Sequence, residues 1–118
     1  MKNNLTQEQL EDLELIREKP AILKHYTAEE QFEELCLEAV KQSGIVLRYV
    51  KKQTPKICLE AVKRYGDALE FVEEQTLEIC LIAVSQNWQA LRFVKEKTPE
   101  ICMIAYEQNP EAVKYFNF

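Results

Sequence analysis

Apolar positions along residues 32–118 recur in one fixed phrase. "TPKICLEAVKRYG" at 54–66 returns as "TLEICLIAVSQNW" from Thr76 and "TPEICMIAYEQNP" from Thr98, and in altered form as "FEELCLEAVKQSG" from Phe32. Cys36, Cys58, Cys80 and Cys102 mark a strict period of twenty-two. A fixed period of this size signals a repeat array. It divides the chain into units 32–53, 54–75, 76–97 and 98–118, with 1–31 outside the frame.

Each unit reads as two short helices. Thr54, Thr76 and Thr98 suit N-caps, because a threonine oxygen accepts from an orphan N–H of the first turn. Pro55 and Pro99 follow at the first helical position, where a missing N–H costs nothing. On the first helix of the second unit, Ile57, Cys58, Leu59, Ala61, Val62 and Tyr65 cover an arc of roughly 200°. Lys56, Glu60, Lys63 and Arg64 occupy the rest. So wide an arc implies burial against both the partner helix and a neighbouring unit. Gly44 and Gly66 suit the left-handed residue that ends a helix. A second helix is expected over "DALEFVEEQ" from Asp67, with Ala68, Leu69, Phe71 and Val72 inward.

These spacings predict an all-α fold: a short α-solenoid of four helical hairpins, right-handed as αα-repeats generally are, forming one structural domain. One unit does not bury such faces alone, and stacking does. Residues 1–31 are expected to form an N-terminal helical cap. Thr6 with Gln9 and Thr27 with Glu30 are capping-box patterns, and Glu8, Glu11, Asp12 and Glu14 give the cap an acidic exterior. "ILKHY" at 22–26 is a displaced echo of "AVKYF" at 112–116.

Ala61, Val62, Gly66, Leu69 and Val72, and likewise Ala39, Val40, Gly44, Leu47 and Val50, spell A-V-x-x-x-G-x-x-L-x-x-V. This resembles a bacterial and viral helical-repeat family of unknown function, over residues 32–118. Trp88 and Pro110 stand where that pattern has glycine. The resemblance implies the fold and carries no activity with it.

The formal net charge of −5 disfavours general phosphate binding. No apolar run approaches the roughly 20 residues of a membrane span. The polar, acidic N-terminus lacks a signal peptide's apolar centre, so the chain is expected in the cytoplasm. Cysteines set one repeat apart lack the close pairs of a zinc site and read as core residues. His25, the one histidine, has no recognisable nucleophile or orienting partner. No catalytic, metal or cofactor site is expected.

Binding is the function left, and departures from the repeat point to where. Glu38, Glu60, Ile82 and Ile104 share one position on the polar arc, so the two isoleucines form an apolar pair on a wet face. Trp88 replaces a helix-ending glycine and suits an interface anchor. Phe116 and Phe118, with Met103, Tyr106 and Val113, are expected at an open end of the stack, where a two-fold homodimer is the simplest closure. The expectation is a small adaptor or inhibitor that occludes a partner protein's surface; an anti-CRISPR protein is one specific case. The alternative is nucleic-acid binding through Arg48, Lys51, Lys52 and Lys56, and a cryptic enzyme is a third class.

Overall fold

A computed structural model of the chain describes residues 4–116. Its α-helices are α1 (Gln7–Glu18), α2 (Glu33–Gln42), α3 (Pro55–Arg64), α4 (Leu77–Gln86) and α5 (Pro99–Gln108). A 3-10 helix follows each: η1 (Pro20–His25), η2 (Gly44–Tyr49), η3 (Gly66–Phe71), η4 (Trp88–Phe93) and η5 (Pro110–Tyr115). Every element among the described residues is helical, and each α-helix packs on the next in chain order. The result is a short helical-repeat solenoid of 51 × 23 × 23 Å. No helix among the described residues is long and apolar enough to cross a membrane.

Local chemistry explains the starts. Thr54, Thr76 and Thr98 each accept from the backbone N–H three residues on at 3.2 Å, satisfying an orphan donor of the first turn. Thr6 and Gln9 form the expected capping box of α1. Thr27 and Glu30 also exchange hydrogen bonds, at 2.9 and 3.2 Å, but they close a turn and start no helix. The start of α2 falls later, behind Phe32, which has no side-chain cap.

The second helix of each unit differs from the α-helix expected. From Asp67 it winds as 3-10 and ends at Phe71, short of Gln75. A 3-10 helix rises about 2.0 Å per residue, so six residues reach about 12 Å, nearly matching the roughly 15 Å of a ten-residue α-helix. The tighter winding lets a short segment cover its partner. It buries Ala68 and Leu69 completely, while Tyr65, expected on the inward arc, lies beyond the end of α3 and is 38% exposed.

Gly44 and Gly66 do not take the left-handed conformation either; no described residue has a positive φ. Each opens a 3-10 helix where the next α-helix crosses it. A Cβ on Gly44 would lie 2.6 Å from the Ala61 carbonyl oxygen, and one on Gly66 2.5 Å from that of Ala83. Close approach, not backbone sign, requires glycine there.

The region 7–25 repeats the same α-plus-3-10 form. Ile16 and Leu23 are fully buried with the same spacing as Val40 and Leu47 of the next pair. The step from Ile16 to Val40 is two positions longer than the step from Val40 to Val62, which is why the frame misses it. Beyond it, Val62, Leu69, Val84 and Leu91 continue the buried column.

Loops along one edge are joined by glutamines. Gln31, Gln53 and Gln75 each donate from Nε2 to a carbonyl of the next loop: Tyr49 at 2.8 Å, Phe71 at 2.7 Å and Phe93 at 2.8 Å. The same amides accept at Oε1 from the N–H groups of Lys51, Glu73 and Lys95, at 2.9, 3.0 and 3.0 Å. One side chain thus satisfies both a donor and an acceptor that a short 3-10 helix leaves unpaired. Lys97 takes this register position in the fourth loop, has no acceptor to offer, and donates instead to the Val94 carbonyl of its own loop at 2.9 Å.

The thiols of Cys36, Cys58 and Cys80 point at these amide oxygens, at 3.7, 3.3 and 3.4 Å. All four cysteines are free and buried. Burial, with help from Glu33 and Glu73 respectively, pushes the Cys36 and Cys58 thiols up to about 11, and burial raises Cys80 and Cys102 as well.

Replacing Gln53 with leucine strands a carbonyl and an N–H, and is expected to lower unfolding stability by about 2 kcal/mol in urea titration. Gln42→Leu, an exposed residue whose amide meets only the Glu38 carboxylate, should stay within about 0.5 kcal/mol of the parent.

The thiols give a pH dependence. An exposed thiol titrates near 9 and folded Cys36 and Cys58 near 11, so their stabilising contribution is complete below pH 9 and lost as pH rises through 11. Urea midpoints should fall across that window, and fall less in the Cys36→Ala, Cys58→Ala double variant. Ellman's reagent at pH 8 should find four thiols in denaturant and only slow reaction in the folded chain.

Candidate protein-docking surface

The position shared by Glu38, Glu60, Ile82 and Ile104 is half-buried in every unit. It forms a shoulder of the α-layer and is less wetted than its place on the polar arc implies. In the first two units its occupants reach cations: Glu38 lies 3.5 Å from Arg17 and Glu60 3.7 Å from Lys63. In the next two, Ile82 and Ile104 pack against the core. At this position the α-layer therefore turns from charged to apolar along the stack, while Glu78, Glu100 and Glu107 keep carboxylates exposed elsewhere on α4 and α5. Leu77 adds to the apolar end, at 51% exposure.

Trp88 is half-buried and spends its ring within the chain, 6.1 Å from the Tyr115 ring at a 35° tilt. Phe116 is half-buried at the last turn, and Phe118 lies outside the described residues. Together with Pro99, Cys102, Met103, Tyr106 and Val113, Phe116 lines an apolar groove of about 330 Å³ at the C-terminal end.

Arg48, Lys51, Lys52 and Lys56 are all exposed. Beside them runs a half-buried aromatic row that sequence reasoning missed: Tyr49, Phe71, Phe93 and Tyr115, again one repeat apart. The Arg48 guanidinium lies 5.7 Å from the Tyr49 ring and 5.1 Å from that of Phe71, Arg92 lies 4.5 Å from Phe93, and the Lys114 ammonium lies 5.4 Å from Tyr115. These are cation–π contacts that cover rings of the row. Exposed Glu70, Glu73 and Glu74 occupy the adjoining unit.

His25 is exposed in an acidic cleft with Glu8, Asp12, Tyr26, Glu29 and Glu30. The other polar groups of this cleft serve structure. Thr6 Oγ1 accepts from the Gln9 N–H at 3.1 Å, and the Tyr26 hydroxyl donates to Asp12 at 2.8 Å. Burial and then that bond push the Tyr26 hydroxyl up to about 12. No group of three or more His, Cys, Asp or Glu side chains among the described residues is arranged to hold a metal ion.

The glutamines were also missed, although Gln31, Gln53 and Gln75 keep the period of the cysteines. A polar residue just before a helix cap reads as ordinary loop, and nothing local shows that its amide meets the loop of the next unit.

No curated protein and no solved structure matches this chain significantly. The family described as a domain of unknown function, DUF4116, matches twice, at residues 33–77 and 55–98. The two matches begin one period of the stack apart, and together they span more than half of the sequence. The chain belongs to the DUF4116 family.

Proposed function

We propose that the chain is a non-catalytic protein-binding module of the cytoplasm, a small adaptor or inhibitor that covers a partner protein's surface. The observation that carries this reading is the change along the α-layer: ion-paired glutamates at one position in two units, then Ile82 and Ile104 at the same position with Leu77 exposed nearby in sequence. A single helical face that becomes apolar only over its C-terminal half has a direction, and docking partners use such patches. Leu77 stands where α3 and α5 have proline, so its exposed side chain is not needed to start the helix. In the acidic cleft around His25, Thr6, Gln9, Asp12, Tyr26 and Glu30 are already bonded within the chain, which supports a binding role over a catalytic one.

Nucleic-acid binding through Arg48, Lys51, Lys52 and Lys56 is the weaker alternative. The aromatic row beside these residues carries cations over its rings, and the neighbouring unit is acidic.

Ile82→Glu with Ile104→Glu restores the carboxylates of the first two units, so folding should survive with a urea midpoint close to the parent. A partner protein captured from native lysate by the parent should be lost, at least tenfold, with the double variant and retained with Lys51→Ala, Lys52→Ala. Equal capture by both variants would show that the α-layer is not the docking face. Binding of single-stranded RNA that collapses between 50 and 200 mM salt would favour the alternative.

A further inference from the structure

The apolar groove at the C-terminal end repeats a surface that every earlier pair in the stack buries. Leu37, Val40 and Leu47 in one unit are buried by the next, and Val62 with Leu69 and Val84 with Leu91 are fully buried in the same way. The corresponding Met103, Tyr106 and Val113 are 56%, 44% and 52% exposed. This face is therefore shaped for an apolar helical unit.

The other end of the stack matches it poorly, because its exposed Leu15 stands one turn from carboxylates. In the first α-plus-3-10 pair, the longer offset puts Glu11 and Asp12 at the register positions of Leu35 and Cys36. Leu35 is fully buried, whereas Glu11 is exposed and Asp12 accepts from Tyr26. A second chain stacking head to tail would press the exposed Glu11 carboxylate onto the apolar groove, which is strongly unfavourable for an unpaired charge. Tail against tail has no such cost, since none of the six residues lining the groove is charged.

We infer that the C-terminal face is a homotypic interface, through which two copies of this chain pair tail to tail about a two-fold axis. Such an isologous contact closes on itself and stops at two. Its size follows from the cross-section. An end of 23 × 23 Å offers roughly 500 Å² a side, about 1,000 Å² in all, at the lower edge of specific interfaces. A contact of that size belongs to the weak or transient class. This interface goes beyond the proposed partner-docking face and is separate from Ile82 and Ile104.

Sedimentation equilibrium between about 10 µM and 1 mM tests it. The weight-average mass should rise from 13.9 kDa toward twice that value and no further. Met103→Glu with Val113→Glu should hold the mass at 13.9 kDa at every concentration, with unchanged circular dichroism. If that pair unfolds the chain, Val113→Ser alone should weaken dimerisation at least fivefold. Ile82→Glu with Ile104→Glu should dimerise like the parent, so loss of partner capture and loss of the dimer are read separately. A parent chain that stays monomeric at 1 mM overturns the proposal. So do masses beyond the dimer, or dimerisation undiminished by Val113→Ser.

Discussion

Adjacent loops of this stack are held in register by one side-chain amide each, and the rest of the architecture depends on that bond pair. A six-residue 3-10 helix is too short to satisfy its own flanking loop, so a carbonyl and an N–H two residues apart are left after η2, η3 and η4. Glutamine is the neutral side chain long enough to answer both at once, one from each end of its amide. Because Gln53 and Gln75 sit just before capped α-helices, the bond there also fixes where the helix begins. Loop, cap and helix then repeat together, and the buried column of Val40, Val62 and Val84 follows from that spacing.

Much of this was legible in the sequence. The period, the threonine caps and the inward cysteines each rest on contacts within a few residues, and local patterns report local contacts well. What escaped depends on partners a whole repeat away. Gln53 is polar and looks like loop until Phe71 and Glu73 are placed beside it. Gly66 fits a left-handed helix end as well as a close crossing, and only the position of Ala83 separates them. The winding of η3 was likewise hidden, since inward Ala68, Leu69 and Val72 fit 3-10 and α-helical spacing alike.

The setting of the candidate surface differs from the one its sequence pattern suggests. Ile82 and Ile104 do break the repeat, but their position is a shoulder where glutamate stems and isoleucine side chains alike are half-covered. The angular arc on one helix takes no account of neighbouring helices, and in a stack those neighbours cover the edges of every arc. Trp88 shows the same effect, its ring engaged by Tyr115 from the following 3-10 helix.

Lys97 has a bearing on how the molecule comes apart. Three junctions carry an amide bond pair, and the fourth loop, at Lys97, turns its donor back on itself. The last pair, α5 and η5, is secured to α4 by packing and by the Gln108 amide on the Val84 and Ser85 carbonyls. In a quasi-one-dimensional array, opening starts where nearest-neighbour coupling is lowest. Amide protons of η5 should therefore exchange with solvent sooner than those of η3, with protection rising inward from that end. The chain then behaves less as one cooperative block than as a zipper whose loose end lies at its C-terminal unit.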